Sequence, residues 1–339
     1  SWGQQRDSVE AVLSAVLAKA ESFEEQKQAN IQIVQTELAR AGADWNKRYA
    51  AQEQLYYAYQ KFQIDPAARY AKDNVTLAQR LQQPDEEQKS LLQLSMVLSA
   101  GGKFVEAKEI LQGIEERGIA AWLLSDYYRA MLNFYSHYGL SSNNRAYFQE
   151  SELYRDSMLM TMDARTLDYE IAWLTKEVYG KRYSLAQSRL HQLCDSLKDD
   201  HQDRGLVAYL LGLIYRDSGD MDKQTTYFAI SGIADIKNGI RDNASMQSLA
   251  LSYYEEGDVD QAHLYLDRAM QDAIFSKVRF RTIESATFYP IIHAAFIEKE
   301  RHQQTQLIRM LAAISLLSLL SLVGVWFTYR QMLRLRRVR

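Results

Sequence analysis

Ala250–Ala269 reads ALSYYEEGDVDQAHLYLDRA. Ala250, Tyr253 and Gly257 mark one short helix and its end, and Ala262, Leu266 and Ala269 recur at helical spacing behind it. Apolar residues three and four apart form one buried face, and a glycine after the last of them is a stop signal. The reading is helix, short turn, helix. The small residue lets the second helix approach the first, and the larger residue four positions on fills the space between neighbouring hairpins.

The same outline recurs upstream. LSAGGKFVEAKEIL holds Gly102, Phe104, Ala107 and Leu111; SHYGLSSNNRAYF holds Gly139, Ala146 and Phe148. VYGKRYSLAQSRL holds Gly180, Tyr183, Ala186 and Leu190; GLIYRDSGDMDKQTTYF holds Gly212, Tyr215, Gly219 and Phe228. With Asp65-Pro66 opening a helix in the earliest unit, the second-helix positions align as Ala67, Ala107, Ala146, Ala186, Gln224 and Ala262, separated by 40, 39, 40, 38 and 38 residues. The glycines are expected in the turn that ends each first helix, and Gln224 stands where a small residue is expected. Ahead of these units, residues 7–40 read as one or two amphipathic helices. Three prolines and 15 glycines in 339 residues leave few helix breakers. An all-α solenoid of about six hairpins follows, because stacked repeats bury a chain too long for one ordinary core.

Beyond the repeats lies Met310–Phe327, MLAAISLLSLLSLVGVWF, which is free of charge over 18 residues. As a helix it is about 27 Å long, the span of a bilayer's hydrocarbon core. Trp326 and Tyr329 are placed for the headgroup region. Arg330, Arg334, Arg336, Arg337 and Arg339 follow without an acid, so the positive-inside rule puts this end in the cytoplasm. Without those five arginines the chain carries 35 basic and 43 acidic residues, an excess of eight acids on the outer side. That block offers no basic patch for nucleic acid. An exported domain needs a leader ahead of Ser1, since SWGQQRDSVE has no signal-peptide pattern. Cys194 is the lone cysteine, so no internal disulfide is possible. The expected layout is a periplasmic helical-repeat domain over 1–285, a juxtamembrane helix over 286–309, a transmembrane helix over 310–329 and a cytoplasmic linker beginning at 330–339. A break is expected near Pro290, with helix resuming from Ile291 through Tyr329.

The repeat resembles the tetratricopeptide motif, most clearly in Ala250–Ala269 and Gly212–Phe228, although the family's unit is about 34 residues. Three longer blocks narrow the resemblance. LYYAYQKFQIDPAARYAKDNVTLAQRL, YFAISGIADIKNGIRDNASMQSLALSYYEEGDVDQAHLYLDRAMQDA and FSKVRFRTIESATFYPII are similar to the membrane-bound regulators of Bacteroidetes that resemble the starch-utilisation-system regulator. The resemblance implies an exported repeat sensor, one inner-membrane helix, and transcription control of a utilisation locus. It implies DNA contact only through a C-terminal domain that these residues do not include.

No catalytic constellation emerges, neither a phosphate loop, a nucleotide fingerprint, a nucleophile elbow nor a zinc-protease helix, and no cofactor is expected. His191, Cys194 and His201 form the nearest approach to a metal cluster, but lack a fourth ligand, so no metal is expected. Asp199-Asp200 reads as a solvated loop, and the glycosylation-like triplets at Asn74 and Asn243 are too common to carry weight. The 22 tyrosines are more informative. In tetratricopeptide arrays the first helices line a concave groove, which places Tyr128, Met131 and Tyr135, then Tyr209, Leu213 and Arg216, then Gln247, Leu251 and Tyr254 on it. Such a groove can stack on sugar rings or hold an extended peptide, and each tyrosine can equally be a packing residue between hairpins. Pro290, Met310, Trp326 and Arg330 are the expected points on the signalling path. Two functions compete: a single-pass sensor for an oligosaccharide, with a homodimer as one form of its relay, and a membrane-anchored scaffold for protein segments in envelope assembly or transport. An enzyme is not expected.

Overall fold

The computed structural model describes residues 2–242 and 244–338. Helices α1 (Trp2–Ala18) and α2 (Ala20–Arg40) precede six helical hairpins. These are α3 (Trp45–Tyr59) with α4 (Ile64–Arg80), α5 (Pro84–Ala100) with α6 (Phe104–Arg117), and α7 (Leu124–Ser142) with α8 (Arg145–Thr161). Then come α9 (Leu167–Tyr179) with α10 (Tyr183–Ser196), α11 (Arg204–Ser218) with α12 (Met221–Lys237), and α13 (Ser245–Glu256) with α14 (Val259–Ser276). The last helix, α15, spans Arg279–Val338. No strand occurs among the described residues.

Local chemistry sets the hairpin boundaries. Asp258 caps α14 by accepting from the Gln261 amide at 3.2 Å, and Asp220 caps α12 by accepting from Lys223 at the same distance. Such a cap is worth about 1 kcal/mol. Gly257, at φ +85°, supplies the left-handed turn that only glycine adopts without strain. Ala67, Ala107, Ala186 and Ala262 are each fully buried where the second helix meets the first. Gln224, in the same position, is buried as well, and its amide donates to Ser252 Oγ of the next hairpin at 2.8 Å. The larger side chain is accommodated because a neighbouring hydroxyl satisfies it.

The third hairpin departs from the sequence reading. Ala146 is exposed, and counting from the helix start puts Phe148 at the equivalent position. The close approach comes instead from Gly139 on the first helix, where a Cβ would lie 3.3 Å from Tyr147 Cβ and 3.4 Å from Phe148 Cε2. The small residue has moved to the partner helix. The turn glycines also need correction. Gly139 lies inside α7, Asn143 takes the left-handed conformation there, and Lys181 rather than Gly180 takes it after α9.

The array closes on itself. Helix α1 packs on α12, with Leu13 fully buried and its Cδ1 beside Gly232. Arg6 donates to Asp222 at 3.0 Å and to Glu256 at 2.6 and 2.8 Å. Arg241 pairs with Glu24 and Asp272, and Arg268 reaches the same two acids at 3.4 and 3.1 Å. The amides of Arg241 and Asp242 donate to the Lys61 carbonyl at 2.8 and 3.1 Å, and the rings of Phe62 and Phe275 meet edge-on at 5.1 Å. Val278 and Phe280, at the α14–α15 junction, lie in one core with Ile31, Leu55, Tyr56, Phe62 and Ile64 of the first helices. Phe280 also stacks on His137 at 4.5 Å between centroids.

The chain divides into two units after Tyr289. The expected break at Pro290 does not occur: the residue lies inside continuous α15. Proline removes one backbone donor, and α15 runs on through that gap. The second unit is helical, and its leucines Leu316, Leu317, Leu319, Leu320 and Leu322 are each more than half exposed. It is long and apolar enough to cross a membrane.

Candidate functional site

Closure of the array creates a central cavity that no single repeat could form. It measures about 180 Å³. Helix α11 contributes Gly205 and Tyr209, α12 contributes Ser231 and Asp235, and α9 contributes Tyr179. Arg281 enters from the first turn of α15, while Lys61 and Asp242 come from loops that the closure contacts hold together. Of the groove residues expected from the repeat pattern, Tyr209 is the one found here, its ring 5.4 Å from that of Phe228.

Burial and pairing set the electrostatics. Asp235 is 8 % exposed, and burial pushes its carboxyl up to about 7. A hydrogen bond from Ser245 at 3.0 Å and the charges of Lys61 and Arg281 act in the opposite direction. Its other oxygen approaches α11 so closely that a Cβ on Gly205 would come within 2.6 Å of it. The Arg281 guanidinium is disfavoured by burial, but Asp242 at 3.1 Å and Glu284 at 3.0 Å more than compensate and hold its proton. Tyr179 exposes half its surface while its crowded hydroxyl is pushed up by desolvation. The wall thus combines two phenol rings, a guanidinium, an ammonium group and two carboxyls around a recess of about 180 Å³, smaller than a typical ligand pocket. It can stack on a ring and hydrogen-bond hydroxyls.

The other expected groove residues lie elsewhere. Tyr128, Met131 and Tyr135 come together on the third hairpin, where Tyr135 stacks on Tyr154 at 5.5 Å and on Tyr147 at 6.2 Å. Tyr128 adds a contact to Tyr154 at 6.5 Å. Arg216 is exposed at the end of α11, 3.8 Å from Asp217. Leu213 and Gln247 are buried, Leu251 is half-buried, and Tyr254 is 37 % exposed. On α15, Met310 and Trp326 are exposed, and the Arg330 guanidinium lies 5.0 Å above the Trp326 ring. Side chains of Arg336 and Arg337, and all of Arg339, lie outside the described residues.

Among the described residues no histidine, cysteine and carboxylate group is arranged for a metal. His191 is engaged on both nitrogens, by the Tyr215 hydroxyl at 2.8 Å and that of Tyr227 at 3.0 Å. Cys194 is buried, which raises its thiol pKa. Asn74 is fully buried and donates to the Tyr49 carbonyl at 3.2 Å, a structural role; Asn243 lies outside the described residues.

Tyr179, Asp235 and Arg281 were not legible as site residues. Their only signals were an aromatic in a repeat turn, a lone acid in the apolar run Ile230–Ile236 and the cation pair Arg279/Arg281. Residues 17–287 match a family model described as the SusR N-terminal TPR domain. No curated protein matches the chain.

Proposed function

This chain belongs to the family of the SusR N-terminal TPR domain, and from that premise we propose that it is the sensing part of a Sus-type regulator. On this reading the repeat domain faces the periplasm, 310–329 crosses the inner membrane, and the basic flank from Arg330 is cytoplasmic. The excess of acids before the apolar run and the acid-free arginine tail support that orientation. The ligand is an oligosaccharide with one terminal ring seated in the cavity, Tyr209 and Tyr179 stacking on that ring and Arg281 hydrogen-bonding its hydroxyls. Transcription control passes to a DNA-binding domain outside this sequence.

One observation carries the proposal: Arg281 lines the cavity and stands on α15, the same helix that continues into the apolar run. A ligand that prefers one position of Arg281 therefore acts on the output element directly, and only such a difference in affinity between states can shift an equilibrium. A homodimer would let two such helices read one another. Repeat domains of this type are typically regulators or scaffolds.

The test is calorimetric titration of the detergent-solubilised chain with a broad oligosaccharide panel, alongside Tyr209→Ala. Loss of one stacking ring is worth roughly 1 kcal/mol, so the variant is expected to bind about fivefold more weakly. Silence across the panel, or unchanged binding by the variant, sinks the proposal. A second reading, a scaffold for protein segments, is favoured by the half-exposed tyrosine row Tyr128, Tyr154, Tyr135 and Tyr147. Peptide capture that Tyr135→Ala abolishes, with no sugar response, would select it.

A further inference from the structure

The wall of the central cavity holds a buried carboxyl that no cation pairs. Asp235 lines the space from α12, and the bond that Ser245 donates to its Oδ2 at 3.0 Å is its one hydrogen bond among the described residues. The guanidinium of the same wall is taken, since Arg281 donates to Asp242 at 3.1 Å and to Glu284 at 3.0 Å. Asp235 Oδ1 lies against Gly205, where a Cβ would come within 2.6 Å of it, and both residues border the cavity.

Every neighbouring element bears on this carboxyl. Helix α11 brings Tyr209, α9 brings Tyr179, α15 brings Arg281 with its partner Glu284, and the loops bring Lys61 and Asp242. Ser245 stands on α13, α1 meets α12 through Leu13 beside Gly232, and Lys27 of α2 lies along Gly239. Lys61 and Arg281 draw Asp235 towards ionisation, whereas burial and Asp242 favour the acid; burial prevails and pushes the carboxyl up to about 7. A neutral ring that fills a recess of about 180 Å³ cuts this group off from solvent and brings no charge in exchange. An unpaired buried charge is far more costly than a neutral acid that donates a hydrogen bond.

We propose, resting on the sugar-binding reading of this cavity, that the terminal ring enters together with a proton: the acid form of Asp235 donates from Oδ1 to a hydroxyl oxygen of the ring, and the ionised form excludes it. The proton comes from solvent and stays on the carboxyl, so no other bond is made or broken. Acidity becomes a second input to the sugar site. Because the acid form is the competent one, apparent affinity follows the fraction of chains that hold the proton. That fraction is close to one at about pH 6 and about one in ten at about pH 8.

The experiment is calorimetric titration of the detergent-solubilised full chain with maltotriose, cellotriose, xylotriose and mannotriose, four neutral probes, at both of those pH values. A trisaccharide that binds is expected to bind about tenfold more weakly at the higher pH. There, the heats in phosphate and in Tris should differ by the proton that each buffer gives up, at about one proton taken up per sugar. Asp235→Asn is expected to take up none and to bind alike at both pH values; a merely structural role for Asp235 would alter affinity without moving protons. The inference is overturned, with sugar binding left standing, if a trisaccharide binds the parent equally at both pH values, if its binding releases a proton, or if Asp235→Asn keeps the parent's pH dependence. Silence of all four sugars at both pH values overturns the sugar-binding reading, and this inference with it.

Discussion

Asp235→Asn is the most informative single substitution. The carboxyl is 8 % exposed, and burial raises its pKa from the ordinary 3.8 to about 7, against the pull of Ser245, Lys61 and Arg281 and with the help of Asp242. A raised folded-state pKa means that the native protein holds a proton the unfolded chain releases. The buried acid therefore costs nothing below the unfolded value, and stability falls as pH rises from there through about 7. At roughly 1.4 kcal/mol per unit, the loss between about pH 5 and about pH 8 is of the order of 2–3 kcal/mol. Asparagine is near-isosteric and cannot ionise, so the variant should escape it. In urea unfolding of the full chain, the free-energy difference between variant and parent is expected to move by that amount in the variant's favour across the interval. His137, which burial holds down to about 4, titrates in both proteins and cancels in the difference. Parallel pH dependences would refute the assignment of Asp235 as a buried, proton-holding member of the cavity wall.

Gly212→Ala would place a methyl 2.5 Å from two carbons of the Phe228 ring, and a loss of about 1–3 kcal/mol is expected in the urea midpoint. Arg241→Met removes one of the two guanidiniums that Glu24 and Asp272 share and leaves them Arg268; about 1.5–3 kcal/mol should be lost, with amide exchange rising in α2 and α14 together. Under the proposed sensing role, a Gly-Gly insertion near Gln303 is expected to abolish a transcriptional response read by a reporter and leave ligand affinity intact by calorimetry; a surviving response rules out relay through α15.

The hairpins were legible because their signals are local. Within each unit the glycine stop and the small residue behind it lie a few residues apart, as at Gly219 and Gly257, and the unit repeats at a near-constant interval. The same rule failed at Ala146 for an instructive reason. Close packing needs one small residue per crossing, and sequence spacing alone does not say that Gly139 supplies it from the facing helix. Closure was illegible because its contacts join distant parts of the chain: Arg6 with Glu256, Lys277 with Asp65, and Phe62 with Phe275. The cavity depends on that closure. Tyr209 could be nominated from its repeat position, whereas Lys61, Asp235 and Arg281 have no common signal before the ends meet.

The placement of Val278 and Phe280 among the first hairpins changes how the domain must fold. An open repeat array behaves as a one-dimensional chain of nearest neighbours, in which terminal units fray and partial arrays survive. In this protein the earliest core is incomplete until residue 280 arrives, so the first hairpins wait for nearly the whole domain. Long-range contacts of this kind slow folding and raise its all-or-none character. A lesion at Phe280 should loosen Ile31 and Leu55 as much as its own surroundings, and the ring should melt as one body rather than unit by unit.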